Sequence, residues 1–457
     1  MSPQRPPAYA IGFSPLLEEF SRVPLRAEGT IPPALKGTLY GIGPGRFSSE
    51  AATVGHWLDG FPMLTAVQVS SDGLQFSNQY VATDAYTRAL ISERGSAWMR
   101  RVPGHGSGFN VVPATGGIDV LDGSGQGITV DPATLATVGT GRRSLVRSCY
   151  AVSPHPVTDP STGECLDLFL CKGDEAGYVL QSTDPSGTPR RVCSIPCSHP
   201  AWMHSFSVTP HWIVLVEGPF TVRAASFRSN RRPELRDYTW DASRGTRILL
   251  VNRATGELVR TLSTRALFAL HHIGAWEDRD TVFVDVAAFG DPTILGSLSL
   301  DPDGMPRGPF PAPQPTRLAI DTARGVVACT PLKCPAGDFS AIDPRRSMSQ
   351  HEILYNVVPR KAGEPCMILC QSTSGSGERM EWYSDNCYPG APVFVPASST
   401  SPEGTGWLLD IVLDVAARRS FLLVLDAATM TEQARAWLPC SLPFGSHALF
   451  APLEATP

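Results

Sequence analysis

The sequence predicts an all-β protein, with a β-propeller as the preferred architecture, and three observations carry that expectation. Glycine and proline, 41 and 42 of 457 residues, are scattered along the chain instead of gathering in one linker. Between them lie short apolar runs such as WIVLV, RILLV, TVFVDV and FLLVL, while helical periodicity is scarce. One hairpin grammar also recurs, in GITVDPATLATVG, ILLVNRATGELVRTL and LLVLDAATMTEQARAWL. Many short strands joined by turns suit a sandwich, a barrel or a propeller.

Taken in chain order, the N-terminal MSPQRPPAYAIGF is broken by prolines and has no apolar core of signal-peptide length. No run of 18 apolar residues occurs, so no spanning helix is expected. The segment Ser92 to Arg100 is one short helix candidate. In the three similar hairpins an apolar strand runs into Asp131, Asn252 or Asp426, each followed by Ala-Thr and a second strand. Such Asp and Asn side chains cap tight turns. Their separations, 121 and 174 residues, are unequal, so the hairpins are alike without forming a fixed repeat. No domain boundary is evident, and residues 1–457 read as one domain.

A hydrophobic content of 42% with 18% charged residues describes a globular chain able to bury a large core. The net charge of −5 and the lack of a basic run give no reason to expect nucleic acid or an anionic membrane surface. Eleven cysteines at irregular spacing make no CxxC zinc pattern and read as reduced thiols of a cytoplasmic protein.

The stretch Trp202 to Pro210, WMHSFSVTP, raises the functional question. As a strand it would put Trp202, His204, Phe206 and Val208 on one side. A lone histidine on an apolar face is most simply a core residue with satisfied ring nitrogens. This one has company. His155 precedes a turn-rich loop, His271 and His272 enter a β run, and His447 lies near the C-terminus. Histidines on separate strand ends could converge on a propeller axis and offer imidazoles to iron, copper, nickel or zinc. Spacings of 49, 67 and 176 residues carry little information by themselves.

At these residues the chain resembles the carotenoid cleavage oxygenase family, almost end to end. GTLYGIGPGRF is similar to its glycine-proline signature, and HWLDGFPML to its HxFDG element. YVATDAYTRAL resembles the animal branch, and SPHPVTDPSTGE, WMHSFSVTPHWIVLVEGP, LHHIGAWEDRDTVFVD and FGSHALF resemble the four histidine segments in order. The resemblance implies a seven-bladed propeller with one Fe(2+) per chain on its central axis, held by His155, His204, His271 and His447. His271 matches the ligand position and His272 does not; His56, His105, His199, His211, His272 and His351 read as structural or surface residues.

Four neutral imidazoles would leave a ferrous ion its full charge and two of six octahedral positions for O2 and for water or substrate. The family reaction uses O2 to split a C=C bond of a polyene or styrenyl substrate into two carbonyls. No external reductant is required, and the chain shows no flavin, nicotinamide or haem motif. Isomerase chemistry and a non-catalytic binding propeller are the alternatives.

The chain departs from the family at the carboxylates that orient the ligands. Gly123 and Ala391 stand where glutamates are expected, Asp338 replaces a third, and Gly274 replaces an Asn, while Glu277 is retained. Such outer partners fix tautomer and basicity. Asp338 is therefore expected to serve His271. The histidine facing Ala391 should turn to a backbone carbonyl, a water or a neighbouring residue. No lysine occurs between Lys36 and Lys172, which disfavours phenolic stilbenes. An apolar alkene or polyene would meet side chains such as Phe61, Tyr86, Phe109, Phe220 and Trp276, with Trp98 and Phe289 further candidates. Peripheral membrane contact is compatible with such a substrate, and no protein partner is implied.

Overall fold

A computed structural model describes residues 7–48, 54–93, 110–114, 116–121, 127–141, 149–171, 176–223, 233–360, 366–375 and 379–453. Their strands form a seven-bladed β-propeller, numbered here from the blade containing Gly37–Arg46. Blade I runs outward from His447–Pro452 through Gly37–Arg46, Phe61–Ser70 and Gly73–Tyr80 to Phe20–Leu25. Blade II starts at Asn110–Ala114, blade III at Cys149–Val152, and blade IV at Ser207–Val208. Blade V starts at Phe268–Asp278, blade VI at Asp338–Ala341, and blade VII at Cys387–Tyr388 and Val393–Pro396.

Both chain ends close the ring. The C-terminal strand pairs with Gly37–Arg46, and Ala27–Gly29 adds an outer edge to blade VII. The close approach depends on Gly43, where an added Cβ would lie 2.6 Å from the Gly445 Cα. That explains one glycine of GTLYGIGPGRF.

The apolar runs lack alternation because a middle strand of a blade is covered on both faces. Phe421, Leu422, Leu423, Val424 and Leu425 are each 0% exposed, and consecutive side chains pack into different interblade layers. Leu249 and Val251 of blade IV pack against Leu166, Leu168 and Leu180 of blade III. Fully burying such a side chain stabilises by about 1.5–3 kcal/mol. Outer strands such as Leu258–Thr264 are largely exposed.

The three similar hairpins occupy one structural position, the turn from third to fourth strand, in blades II, IV and VII. Asp131, Asn252 and Asp426 each accept two backbone N–H bonds across that turn, at 2.8–3.1 Å. Leu135, Gly256 and Met430 follow with positive φ. The spacing is unequal because the matching blades are not evenly separated along the ring.

Two expectations change. Trp202 to Pro210 is not one strand: only Ser207–Val208 is extended and paired, and Ser205, Phe206, Ser207 and Val208 are all buried. The helix here is Asp84–Glu93, ending where the Ser92 to Arg100 candidate begins; residues 94–109 lie outside the described set. Among the described residues no helix is long and apolar enough to cross a membrane.

Candidate metal centre

Innermost strands and the loops leading into them meet around the axis, and four of them bring histidines there. His155 sits between Cys149–Val152 and Val157–Thr158, and His204 lies in the loop before Ser207–Val208. His271 is in Phe268–Asp278, and His447 opens the C-terminal strand. One ligand atom from each of the four lies within 4.8 Å of the others. His155 and His204 present their Nε2 atoms 3.0 Å apart. Metal–imidazole bonds of about 2.1 Å at a right angle would place adjacent ligand nitrogens about 3.0 Å apart, so the donors fit an ion at their centre.

Local structure aims these rings. Register shifts before His271 and after His272 break the blade V ladder, as bulges do beside functional sites. His271 joins the cluster, whereas His272 places Nδ1 2.7 Å from Ser207 Oγ. Ser153, two residues before His155, donates its hydroxyl to the His204 carbonyl at 2.5 Å and ties two ligand-bearing loops together. From blade II, Asn110 Nδ2 lies 3.0 Å from the Pro154 carbonyl and 3.3 Å from His155 Nδ1. Trp202 stacks on His204 with ring centroids 5.5 Å apart.

The electrostatics suit metal ligation. Burial, then the neighbouring His271 and His447, hold His204 well below the ordinary imidazole range. His447 is lowered in the same direction by burial, then by His155 and His271. Neutral rings with free lone pairs are the state a cation needs.

Asp338 Oδ1 lies 2.8 Å from His271 Nδ1, a direct contact despite the shorter side chain. The backbone shifts beside it: the ladder is irregular between Asp338 and Ala341, and Phe339 takes φ 51°. The Phe339 ring stands 6.0 Å from His271 and 6.1 Å from His447, a neighbour that sequence reasoning missed although DFSAI was in view. Ala391 and His447 line the same cavities, with no carboxylate at position 391. Gly274 leaves room for His351, whose Cε1 lies 2.9 Å from where a Cβ would stand. Glu277 pairs with exposed His211 at 2.7 Å. Gly123 and His105 lie outside the described residues.

The aromatic candidates scatter. Phe61 and Tyr86 pack with Tyr80 in blade I, Tyr86 stacking on Tyr80 at 4.7 Å. Phe220 and Phe289 belong to one cluster with Phe268, which stacks on Trp202 at 5.6 Å. Trp276 packs against Phe283 and His351 beneath Arg317. Phe109 and Trp98 lie outside the described residues. A cavity of about 360 Å³ reaches His155, His271, His447 and Phe339.

Fold and centre together define a class, a propeller built around a histidine-only cluster that can hold a metal ion. A match to the family model for RPE65, retinal pigment epithelial membrane protein, spans residues 13–452, and the chain belongs to that family of carotenoid oxygenase enzymes. It is 24% identical to an apocarotenoid-15,15'-oxygenase of Synechocystis sp., over 93% of this chain and 92% of that one. It is 26% identical to a carotenoid isomerooxygenase of Galleria mellonella, covering 93% and 92%. Cobalt-substituted Synechocystis apocarotenoid oxygenase superposes with a TM-score of 0.83 at 22% identity, covering 98% of both chains. Lignostilbene dioxygenase of Pseudomonas brassicacearum superposes with a TM-score of 0.83 at 20% identity, covering 98% and 99%.

Proposed function

We propose that this chain is a non-haem iron(II) dioxygenase that cleaves a C=C bond of an apolar polyene, an apocarotenoid or a related alkene. The observation that carries the reading is the convergence of four imidazoles from four blades within 4.8 Å. Ferrous iron held by His155, His204, His271 and His447, one per chain, would supply O2 activation beside the alkene. An alkene plus O2 gives two carbonyls with all atoms and electrons accounted for. The relatives named for carotenoid and apocarotenoid substrates support a polyene.

The chain's own residues orient and exclude. Asp338 accepts the Nδ1 proton of His271 and leaves the other ring nitrogen to the centre. Ser153 holds the His204 loop against the His155 loop. Trp202, Phe268, Phe220 and Phe289 form an apolar wall beside His204 that would favour a hydrocarbon over water. Cys193, Cys197, Cys329, Cys334, Cys366, Cys370, Cys387 and Cys440 form no disulfide, which supports a reducing, cytoplasmic setting.

The test is incubation of iron-loaded protein with a panel of apocarotenoids and stilbenes under ¹⁸O2, followed by mass spectrometry. Labelled aldehyde or ketone pairs are expected from an apocarotenoid. A product of unchanged mass with altered double-bond geometry would replace cleavage by isomerisation. Failure to bind iron would replace both by a binding propeller.

A further inference from the structure

Among the described residues no hydrogen bond reaches the His447 ring nitrogens, and Ala391 lines the same cavities as His447. Both residues line a cavity of about 70 Å³ between blades I and VII. Asp410, in the blade VII strand Gly406–Asp414, lines the same cavity and is 2% exposed. Its Oδ1 accepts the Gly390 N–H at 3.1 Å, while its Oδ2 is buried without a partner.

A buried carboxylate oxygen with no donor is costly, and such groups are rare in folded proteins. Burial pushes the Asp410 carboxyl well above the usual carboxylate range, and the backbone N–H groups of Ile411 and Gly390 offset only part of that. A water needs about 10–15 Å³ and two or more polar partners, so the cavity has room for several waters between Asp410 and His447. One wall offers a carboxyl oxygen lacking a partner. The other offers an imidazole whose N–H lacks an acceptor.

We propose that Asp410, acting through water held in this cavity, accepts the imidazole N–H of His447 and fulfils the role that Ala391 cannot. The inference rests on the metal-centre reading and deepens it. Asp410 is then a positioning residue: it holds the His447 ring so that the other nitrogen faces the centre. Water-mediated bonds are enthalpically close to direct ones, so the arrangement can orient a ligand without a longer acid at 391. The competing explanation is that Asp410 only caps the Gly390 N–H.

Asp410→Asn separates the two, because it keeps an oxygen for Gly390 while replacing the free acceptor by a donor. The probe is Co²⁺, followed by titration and by its visible absorption bands. Asp410→Asn is expected to weaken Co²⁺ binding about tenfold and to change the bands, since outer-partner losses cost about 10–100-fold. Adding Ala391→Glu to that variant should restore most of the affinity. Thermal unfolding of metal-free Asp410→Asn should stay close to wild type, because the amide oxygen still accepts the Gly390 N–H and the blade remains packed. Unchanged Co²⁺ affinity in Asp410→Asn, with wild type binding normally, overturns the proposal alone. A wild type that binds neither Co²⁺ nor Fe²⁺ overturns the metal-centre reading and this proposal with it. A crystal structure of the wild type gives a check that needs no variant. Water bridging Asp410 to His447 supports the proposal, and a dry cavity overturns it.

Discussion

On the His271 side of the cluster, blade VI delivers a carboxylate directly to an imidazole nitrogen at 2.8 Å. On the His447 side, blade VII delivers Ala391, and Asp410, a buried carboxyl with one unpartnered oxygen, lines the same cavity. The two histidines nevertheless sit in one cluster with their ring centroids 5.1 Å apart. Ring position therefore comes from the inner strands and the apolar layers behind them, not from the outer partners. Those partners set how firmly a ring already in place is held and which nitrogen is protonated, so they can be exchanged while the cluster survives.

The largest expected effect breaks both sides at once. His204→Ala or His271→Ala should abolish iron retention, while circular dichroism and thermal unfolding remain those of a folded propeller. Normal iron content in either variant would remove that histidine from the centre. Collapse of the fold would make it a core residue instead.

Asp338→Ala acts on one side only. It should weaken iron binding by about 10–100-fold, more than any other single change outside the four histidines, because the supported imidazole loses a direct acceptor. Iron titration checks this, and wild-type affinity would reduce Asp338 to a turn residue.

The smallest effect concerns the scaffold behind two ligands. Asp159 and Glu164 of blade III pair with Arg253 of blade IV at 2.7 and 2.6 Å, joining the blades that lead to His155 and His204. Burial raises the Asp159 carboxyl, but hydrogen bonds from Ser161 and Arg253 and the Arg253 charge outweigh it and bring it down to about 2. A folded value below the unfolded one, near 3.9, gives stability present above about pH 4 and lost as pH falls through about 2. The contribution is about 2 kcal/mol. Denaturant unfolding of metal-free protein should show that acid limb, and Asp159→Asn should flatten it.

Much of the architecture was legible in the chain because strand runs and turn-capping aspartates are local signals. The hairpins at Asp131, Asn252 and Asp426 are the same blade turn, and only the route between them is hidden from a period search. Histidine spacing could not show convergence, since 49, 67 and 176 residues become neighbours only when the ring closes. The resemblance of the four segments supplied what spacing lacked. Pocket aromatics were not legible: a buried phenylalanine looks the same in sequence whether it lines a tunnel, as Phe220 near Trp202 could, or packs a blade, as Phe61 does. Asp410 was invisible for a related reason. Nothing in LLDIVLD distinguishes a buried aspartate beside a cavity from one at a strand edge, because cavity and missing donor are tertiary facts.

The central claim is that these four histidines hold one iron. Iron K-edge X-ray absorption on anaerobically purified and quantified protein tests it most directly. The account predicts one iron per chain with imidazole scattering from four rings and bonds near 2.1 Å. Iron far below one per chain after reconstitution, or a coordination sphere containing cysteine sulfur, would contradict it.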